Sequence, residues 1–237
     1  MKNPVFCALD TTETEAALAL GRRLGGLVGG LKLGLEFFTA NGPDGVRAVA
    51  AAGLPLFLDL KFHDIPNTVA GAIRGAVRLA PAMTTLHAAG GIEMMRAALD
   101  AAGEAAAQWG VDRPAILAVT VLTSMGQAEL PGIGVAGAVL DQVKRLAGLA
   151  QEAGVDGVVC SPHEVEALRA QLGPAMRLVI PGIRPAWAAA NDQKRVLGPA
   201  EAIAKGADLL VIGRPITAAA DPAAAARRIR EELEATG

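Results

Sequence analysis

Three charged side chains lie close together where one apolar stretch of the sequence ends. Residues 55–61 are predicted to form a buried strand, and Asp59, Lys61 and Asp64 fall within six residues of one another. Because side chains alternate along a strand, we expect Asp59 and Lys61 to project to the same side. An isolated charge in an apolar strand is costly to bury, whereas a close pair of opposite charges is tolerated. Charges crowded where a strand meets a helix predict an active site in an α/β barrel, with a lysine kept protonated by its carboxylate neighbours.

Polar residues recur at the ends of the other predicted strands. Strand after strand is apolar until its last residues and then presents a polar or flexible group: Asp10, Lys32, Asp59 with Lys61, His87, Thr120 with Thr123, Arg184, and Gly213 with Arg214. In a parallel barrel these strand ends converge on one face. Residues far apart in the sequence are therefore expected to share a single pocket.

The elements that must position these residues alternate along the whole chain. Strands are predicted near residues 4–10, 30–34, 55–61, 83–88, 115–121, 157–161, 177–182 and 209–213. Helices are predicted near residues 13–26, 42–52, 66–80, 91–109, 135–153, 162–171, 198–205 and 221–235. Eight strand–helix units predict an α/β fold, a closed (β/α)8 TIM barrel that forms one domain over residues 1–237, with a doubly wound open sheet as the alternative.

Composition excludes several function classes. The 237 residues carry a formal net charge of −2, so there is no basic excess to bind a nucleic acid, although local positive groups would suffice for one phosphate. No apolar run reaches membrane-spanning length and the start does not resemble a signal peptide, so we expect a soluble, cytoplasmic protein. The two cysteines and three histidines show no ligand spacing, so no metal site is expected.

The residues at the end of the third strand resemble a known signature. The run Asp59-x-Lys61-x-x-Asp64-Ile65-Pro66-Asn67-Thr68 is similar to that of the orotidine 5'-phosphate decarboxylase family, and the likeness covers nearly the whole chain. The resemblance implies a phosphate-binding barrel of the ribulose-phosphate-binding type. It also implies decarboxylation of orotidine 5'-monophosphate (OMP) to UMP and CO2 in pyrimidine biosynthesis, without cofactor or metal.

Four residues match the charged catalytic array of that family: Lys32, Asp59, Lys61 and Asp64. By this resemblance Lys61 stabilises the C6 carbanion and protonates it, Asp59 lies near the substrate carboxylate, and Lys32 holds Asp59 and touches the ribose. Asp64 would reach the neighbouring subunit's site, which implies a homodimer. The alternative is a set of ordinary surface ion pairs, but that explains poorly why the charges follow apolar strands.

The resemblance also assigns substrate contacts. Gly213 and Arg214 match the phosphate clamp, although Gly213 alone could be a plain turn glycine. Arg184 faces the phosphate side, and Gln193 matches a position that bridges phosphate and pyrimidine within a lid over residues 184–194. Arginine suits phosphate binding because the N–H donors of its planar guanidinium group pair with phosphate oxygens.

The remaining contacts would surround the ribose and the base. Asp10 could accept a hydrogen bond from a ribose hydroxyl or could instead cap the first helix. Thr123 matches a position that reads the pyrimidine edge, and Thr68 matches a ribose contact made across the dimer. His63 is expected to turn away from Lys61 into a supporting or packing role, and His87 is expected to be structural.

Two other functions stay open at this point. Related barrels that act on sugar phosphates, such as 3-keto-gulonate 6-phosphate decarboxylase or hexulose-phosphate synthase, share the Asp-x-Lys-x-x-Asp core but depend on magnesium. They usually have a carboxylate where this chain has Lys32, which favours a nucleotide substrate. The second alternative is a non-catalytic nucleotide-binding barrel, which retention of all four charged residues disfavours.

Overall fold

Eight parallel strands close into a barrel in chain order. The computed structural model describes residues 3–188 and 197–235. The strands are β1 Val5–Ala8, β2 Gly30–Gly34, β3 Leu56–Phe62, β4 Met83–His87, β5 Ala115–Val119, β6 Gly157–Val159, β7 Arg177–Pro181 and β8 Leu209–Ile212. Each strand pairs in parallel with the next, and β8 pairs with β1, with Val5 opposite Leu210. The closed barrel is therefore confirmed over the open sheet.

Helices connect successive strands. They are α1 Thr14–Arg23, α2 Leu35–Ala50, α3 Pro66–Val77, α4 Gly91–Trp109, α5 Val139–Ala153, α6 Val165–Leu172, α7 Pro199–Ala204, α8 Arg214–Thr217 and α9 Pro222–Glu234. Short 3-10 turns lie at Ala88–Gly90, Leu130–Ile133 and Pro162–Glu164. Within the described residues, every helix is too short or too polar to cross a membrane.

Three helices differ from the sequence-based expectation. Helix α2 begins at Leu35 rather than near residue 42, and Gly42, with a φ of 59°, breaks it just before Pro43. A glycine followed by proline is typical of a helix start, and here it marks a kink between two helical segments. Helix α5 begins at Val139 because Gly134 and Gly137 both adopt positive φ. The four-residue helix α8 was not predicted.

The lower part of the barrel interior is filled by apolar side chains. They come from six of the strands: Phe6, Ala8, Phe57, Met83, Ala115, Leu117, Val179 and Val211. The rings of Phe6 and Phe57 meet edge to face, with centroids 6.3 Å apart. Since inward-facing residues recur every second position, Asp59 follows Phe57 and Thr85 follows Met83 on the same inner face. The apolar layer is thus the floor on which the polar residues stand.

Gly30 makes room for this floor. It lies opposite Phe6 in the β1–β2 register. A Cβ atom at Gly30 would lie 2.2 Å from Cε1 of Phe6 and 2.6 Å from the carbonyl oxygen of Pro55. The ring could turn away only by leaving its contact with Phe57, and the carbonyl belongs to the backbone. A larger residue therefore cannot enter without moving the aromatic pair.

We predict that Gly30→Ala lowers the free energy of unfolding by about 1–3 kcal/mol, the usual cost of overpacking a core. The matched control is Gly103→Ala in α4, where an added Cβ meets nothing within 4 Å. Because alanine favours a helix over glycine, this control should raise stability by about 0.5–1 kcal/mol. Urea denaturation measures both changes. Unchanged stability in Gly30→Ala would contradict the close packing of Phe6.

Candidate active site

The carboxylate of Asp59 is the centre of a charged cluster at the carboxyl end of β3. Asp59 is buried, with 8% of its surface exposed. The Lys61 ammonium donates to both oxygens of this carboxylate at 2.8 Å. The Lys32 ammonium lies 3.7 Å from Oδ2 of Asp59 and 3.5 Å from Oδ1 of Asp10. The chain therefore brings together four of the expected site residues, in an alternating order of charge.

The local path of β3 differs from the simple alternation expected from the sequence. Lys61 has a φ of 50°, which is the left-handed region that non-glycine residues rarely adopt. The β3–β4 register also shifts, because Leu58 pairs with Thr84 whereas Phe62 pairs with Leu86. A step of four residues along β3 thus corresponds to a step of two residues along β4. Asp59 and Lys61 do lie on one side, but an irregular strand rather than regular pleating aims the lysine.

Thr85 on β4 contacts both partners of this pair. Its hydroxyl donates to Oδ1 of Asp59 at 2.8 Å and accepts from the backbone N–H of Lys61 at 2.9 Å. Thr85 is fully buried. Thr85 was not predicted as a site residue from the sequence, because threonine is a common β-branched residue of strands and does not by itself indicate a function. The only available clue was its position two residues before His87, on the inward face of β4.

A cavity of about 200 Å³ lies beside the charged cluster, at the ends of β1, β2, β7 and β8. Its lining includes Asp10, Lys32, Arg184, Gly213 and Arg214. Arg184 is buried, and its backbone N–H donates to the carbonyl of Leu197 at 3.1 Å. Arg214 is exposed and begins α8. Because Lys32 belongs to both the cavity and the cluster, the two form one continuous site.

The structure bears on two alternative roles, that of Asp10 as a helix cap and that of Gly213 as a plain turn glycine. Asp10 does not cap the first helix, since the N-cap of α1 is Glu13 and Asp10 instead pairs with Lys32. At Gly213 the φ is −104°, so this glycine is not needed for a left-handed turn. A Cβ there would lie 3.6 Å from Oδ2 of Asp10. This is an ordinary van der Waals separation, so the space around Gly213 does not by itself require a glycine.

Several expected site residues are not brought into the cluster by this chain. Asp64 is exposed, and its Oδ1 accepts from the N–H of Ile65 at 2.6 Å. Among the described residues it makes no ion pair with Lys32 or Lys61. Thr68 on α3 and Thr123 after β5 are also exposed. Gln193 lies outside the described residues, as do all of residues 189–194 of the expected lid.

Two histidines lie next to the cluster. The rings of His63 and His87 are 5.3 Å apart. Burial lowers the pKa of His87 below its ordinary value of 6.5, and the nearby His63 and Lys61 lower this pKa further. His87 is therefore neutral at neutral pH and adds no positive charge to the site.

The geometry suits an anionic substrate that develops negative charge during reaction. Two arginines border one end of the site, and a lysine held by a buried carboxylate occupies the other. Preorganised cations in a site of low dielectric stabilise developing negative charge strongly. In residues 3–188 and 197–235, no three His, Cys, Asp or Glu side chains are grouped so as to hold a metal ion.

Comparison with known proteins places this site in a family. Residues 3–229 match the sequence model of the Orotidine 5'-phosphate decarboxylase / HUMPS family. An orotidine 5'-phosphate decarboxylase from Paramagnetospirillum magneticum is 65% identical over 98% of this chain and 99% of its own length. One from Rhodospirillum rubrum is 60% identical over 98% of this chain and 94% of its own.

A solved structure shows the same likeness in three dimensions. The crystal structure of orotidine 5'-phosphate decarboxylase from Lactobacillus acidophilus superposes with a TM-score of 0.82 at 36% identity, and covers 98% of this chain and 99% of that one. Matches of this extent leave no part of the barrel unaccounted for. The chain therefore belongs to the Orotidine 5'-phosphate decarboxylase / HUMPS family.

Proposed function

We propose that this protein is an enzyme that converts OMP to UMP and CO2, a step of pyrimidine biosynthesis. The observation that carries the proposal is the buried Asp59 carboxylate between Lys61 and Lys32, next to a cavity bordered by Arg184 and Arg214. The relatives at 65% and 60% identity are named orotidine 5'-phosphate decarboxylase, which supports the same substrate for this chain.

The reaction explains why such a cluster is needed. When the bond between C6 and the carboxylate breaks, CO2 leaves and the electron pair remains on C6, in the plane of the pyrimidine ring. The π system of the ring cannot absorb that pair, so the protein must stabilise it electrostatically. The Lys61 ammonium supplies the positive charge and then transfers its proton to C6. The neutral amine regains a proton from solvent after UMP leaves.

The neighbours of Lys61 divide the remaining tasks. Asp59 holds the Lys61 ammonium through both of its oxygens and lies where the substrate carboxylate must approach, so departure of CO2 relieves repulsion between two carboxylates. Lys32 fixes Asp59 from the other side and is placed to reach the ribose. Enzymes at the high end lower their barriers by roughly 23 kcal/mol. One ion pair cannot supply that amount, so binding energy from remote parts of the substrate must contribute.

The cavity provides those remote contacts. Arg184, Arg214 and Gly213 surround the place proposed for the phosphate, and Asp10 lies within reach of a ribose hydroxyl. Gln193 is proposed to bridge phosphate and pyrimidine, and Thr123 to contact the pyrimidine edge. In this arrangement the phosphate end holds the nucleotide so that C6 is presented to Lys61.

We also propose that the site is completed in a homodimer, with Asp64 and Thr68 contributed by the partner. Both residues are exposed in the single chain, and Asp64 does not pair with its own Lys61. The adjacent Ile65 is 67% exposed, and burying such an apolar side chain against a partner would stabilise the proposed dimer. The rest of the proposal is a single domain that works in the cytoplasm, without membrane or nucleic-acid partners.

The alternative within the same family is a magnesium-dependent enzyme that acts on sugar phosphates. Those relatives usually carry a carboxylate at the position of Lys32, which would supply a metal ligand. Here the Lys32 ammonium lies 3.7 Å from the Asp59 carboxylate, so a cation of the chain itself helps to balance the negative charge of Asp59. This contact favours the nucleotide substrate.

The first prediction concerns turnover without metal. Protein treated with EDTA should convert OMP to UMP, as measured by the loss of OMP absorbance. Conversion of OMP that appears only after magnesium is restored would contradict the metal-free mechanism. No conversion under either condition would refute the proposed function.

The second prediction concerns Lys61. Because this residue acts on the charge that develops in the transition state, Lys61→Ala should lower kcat by at least about 10³-fold. UMP affinity should change little, since UMP lacks the carboxylate that leaves. Steady-state kinetics and calorimetric titration with UMP measure the two quantities. Normal turnover in this variant would contradict the mechanism.

Arg214→Ala is the matched control, because it removes a cation from the other end of the site. It should weaken UMP binding by about 1.5–3 kcal/mol, the range for a hydrogen bond to a charged group. The contrast between the two variants separates phosphate binding from chemistry. An unchanged UMP affinity would remove Arg214 from the phosphate site.

The third prediction tests the shared site. Lys61→Ala and Asp64→Ala homodimers should both be nearly inactive. Unfolding and refolding them together should restore activity, because each mixed dimer regains one site with an intact Lys61 and a partner's intact Asp64. Mixing Lys61→Ala with Asp59→Ala is the control, since both residues belong to the same chain's site. Recovery in the control, or none in the test, would contradict the shared site.

A further inference from the structure

We infer that Thr85 is a positioning residue that holds the Asp59–Lys61 pair in its reactive geometry. The inference rests on the proposed function and extends it to a residue that touches neither substrate nor the reacting atoms. Thr85 acts on both partners of the pair at once. It does so through a single buried hydroxyl group on the neighbouring strand.

The first part of its role is to hold the backbone of Lys61. With a φ of 50°, Lys61 leaves the regular strand conformation, and the β3–β4 register shifts around it. Its N–H donates instead to the Thr85 hydroxyl at 2.9 Å. Backbone donors away from water need an acceptor. The hydroxyl therefore replaces the strand pairing that the irregularity removes, and it stabilises the unusual conformation that aims the lysine.

The second part is to fix the orientation of the Asp59 carboxylate. The Thr85 hydroxyl has one proton, and it donates that proton to Oδ1 of Asp59 at 2.8 Å. Lys61 contacts both carboxylate oxygens, and Lys32 lies on the Oδ2 side. When Lys61 transfers its proton to C6, the carboxylate loses its strongest donor. Thr85 then still holds Oδ1, so Asp59 keeps its orientation through the reaction.

The chain provides a matched control in the preceding residue. Thr84 is also a fully buried threonine of β4, but it faces the other side of the strand. Its hydroxyl donates to the backbone carbonyl of Leu58 at 2.8 Å, rather than to a side chain of the charged cluster. Replacing either threonine by valine removes a buried hydroxyl from the same strand with little change in volume. Thr84→Val loses one hydrogen bond to a backbone carbonyl, whereas Thr85→Val loses the two that reach Asp59 and Lys61.

The experiment compares Thr85→Val, Thr85→Ser and Thr84→Val as full-length proteins. Thr85→Val should lower kcat by up to about 100-fold, as expected when a catalytic group is misplaced by about 1 Å. UMP affinity should stay at the wild-type value, because the phosphate contacts are intact. Thr85→Ser keeps the hydroxyl and should restore most of kcat. Thr84→Val should lower the melting temperature while kcat stays near the wild-type value.

Two kinetic results would overturn the inference. The first is a kcat for Thr85→Val equal to that of Thr84→Val, and the second is failure of Thr85→Ser to recover activity. A crystal structure of Thr85→Val supplies a test without substrate, since the Lys61 backbone or the Asp59 carboxylate should shift from its wild-type position. An unchanged pair in that structure would also overturn it. Failure of the wild-type protein to convert OMP would instead refute the proposed function, and the crystal structure would still decide the role of Thr85.

Discussion

The structure of the site depends on keeping one buried carboxylate charged. Asp59 is almost inaccessible to water, so its charge must be balanced by donors within the protein. Lys61 and Thr85 supply short hydrogen bonds, and Lys32 supplies a second positive charge at longer range. Removing any one member of such a cluster is costly, because it leaves another buried polar or charged group without its partner. Lys61 is thus positioned by the need to balance the charge of Asp59.

The barrel makes this arrangement possible by stacking its interior in layers. Phe6 and Phe57 meet in the apolar floor, and Gly30 leaves the space that they need. Directly above the floor, the same inward positions become polar, with Asp59 following Phe57 and Thr85 following Met83. A packed layer below and a cavity at the carboxyl ends place the charges at the boundary between them. The charges are therefore shielded from bulk water on one side and open to a ligand on the other.

Much of this architecture could be predicted from the sequence, since the alternation of apolar runs and alanine-rich segments indicated all eight strands of the barrel. The closeness of Asp59 and Lys61 was also predicted, although by regular alternation, which the φ of Lys61 contradicts. A register shift depends on the partner strand and leaves no pattern in the strand itself. Thr85 escaped notice for the same reason, because its two hydrogen bonds join residues that are distant in sequence. The roles proposed for Asp64 and Thr68 would require a second chain, which a pattern within one chain can suggest only by resemblance.

The irregular path of β3 sets the direction of the Lys61 side chain. In a regular strand the Lys61 side chain would follow the pleat, and its direction would be tied to that of every neighbour. The left-handed conformation releases it from that constraint, and strain of this kind persists only where surrounding contacts hold it. Here the Thr85 hydroxyl accepts a hydrogen bond from the backbone N–H of Lys61, and the Asp59 carboxylate forms an ion pair with the Lys61 ammonium. The ammonium is therefore held in one orientation by the protein itself, which is the preorganisation that the proposed reaction would use.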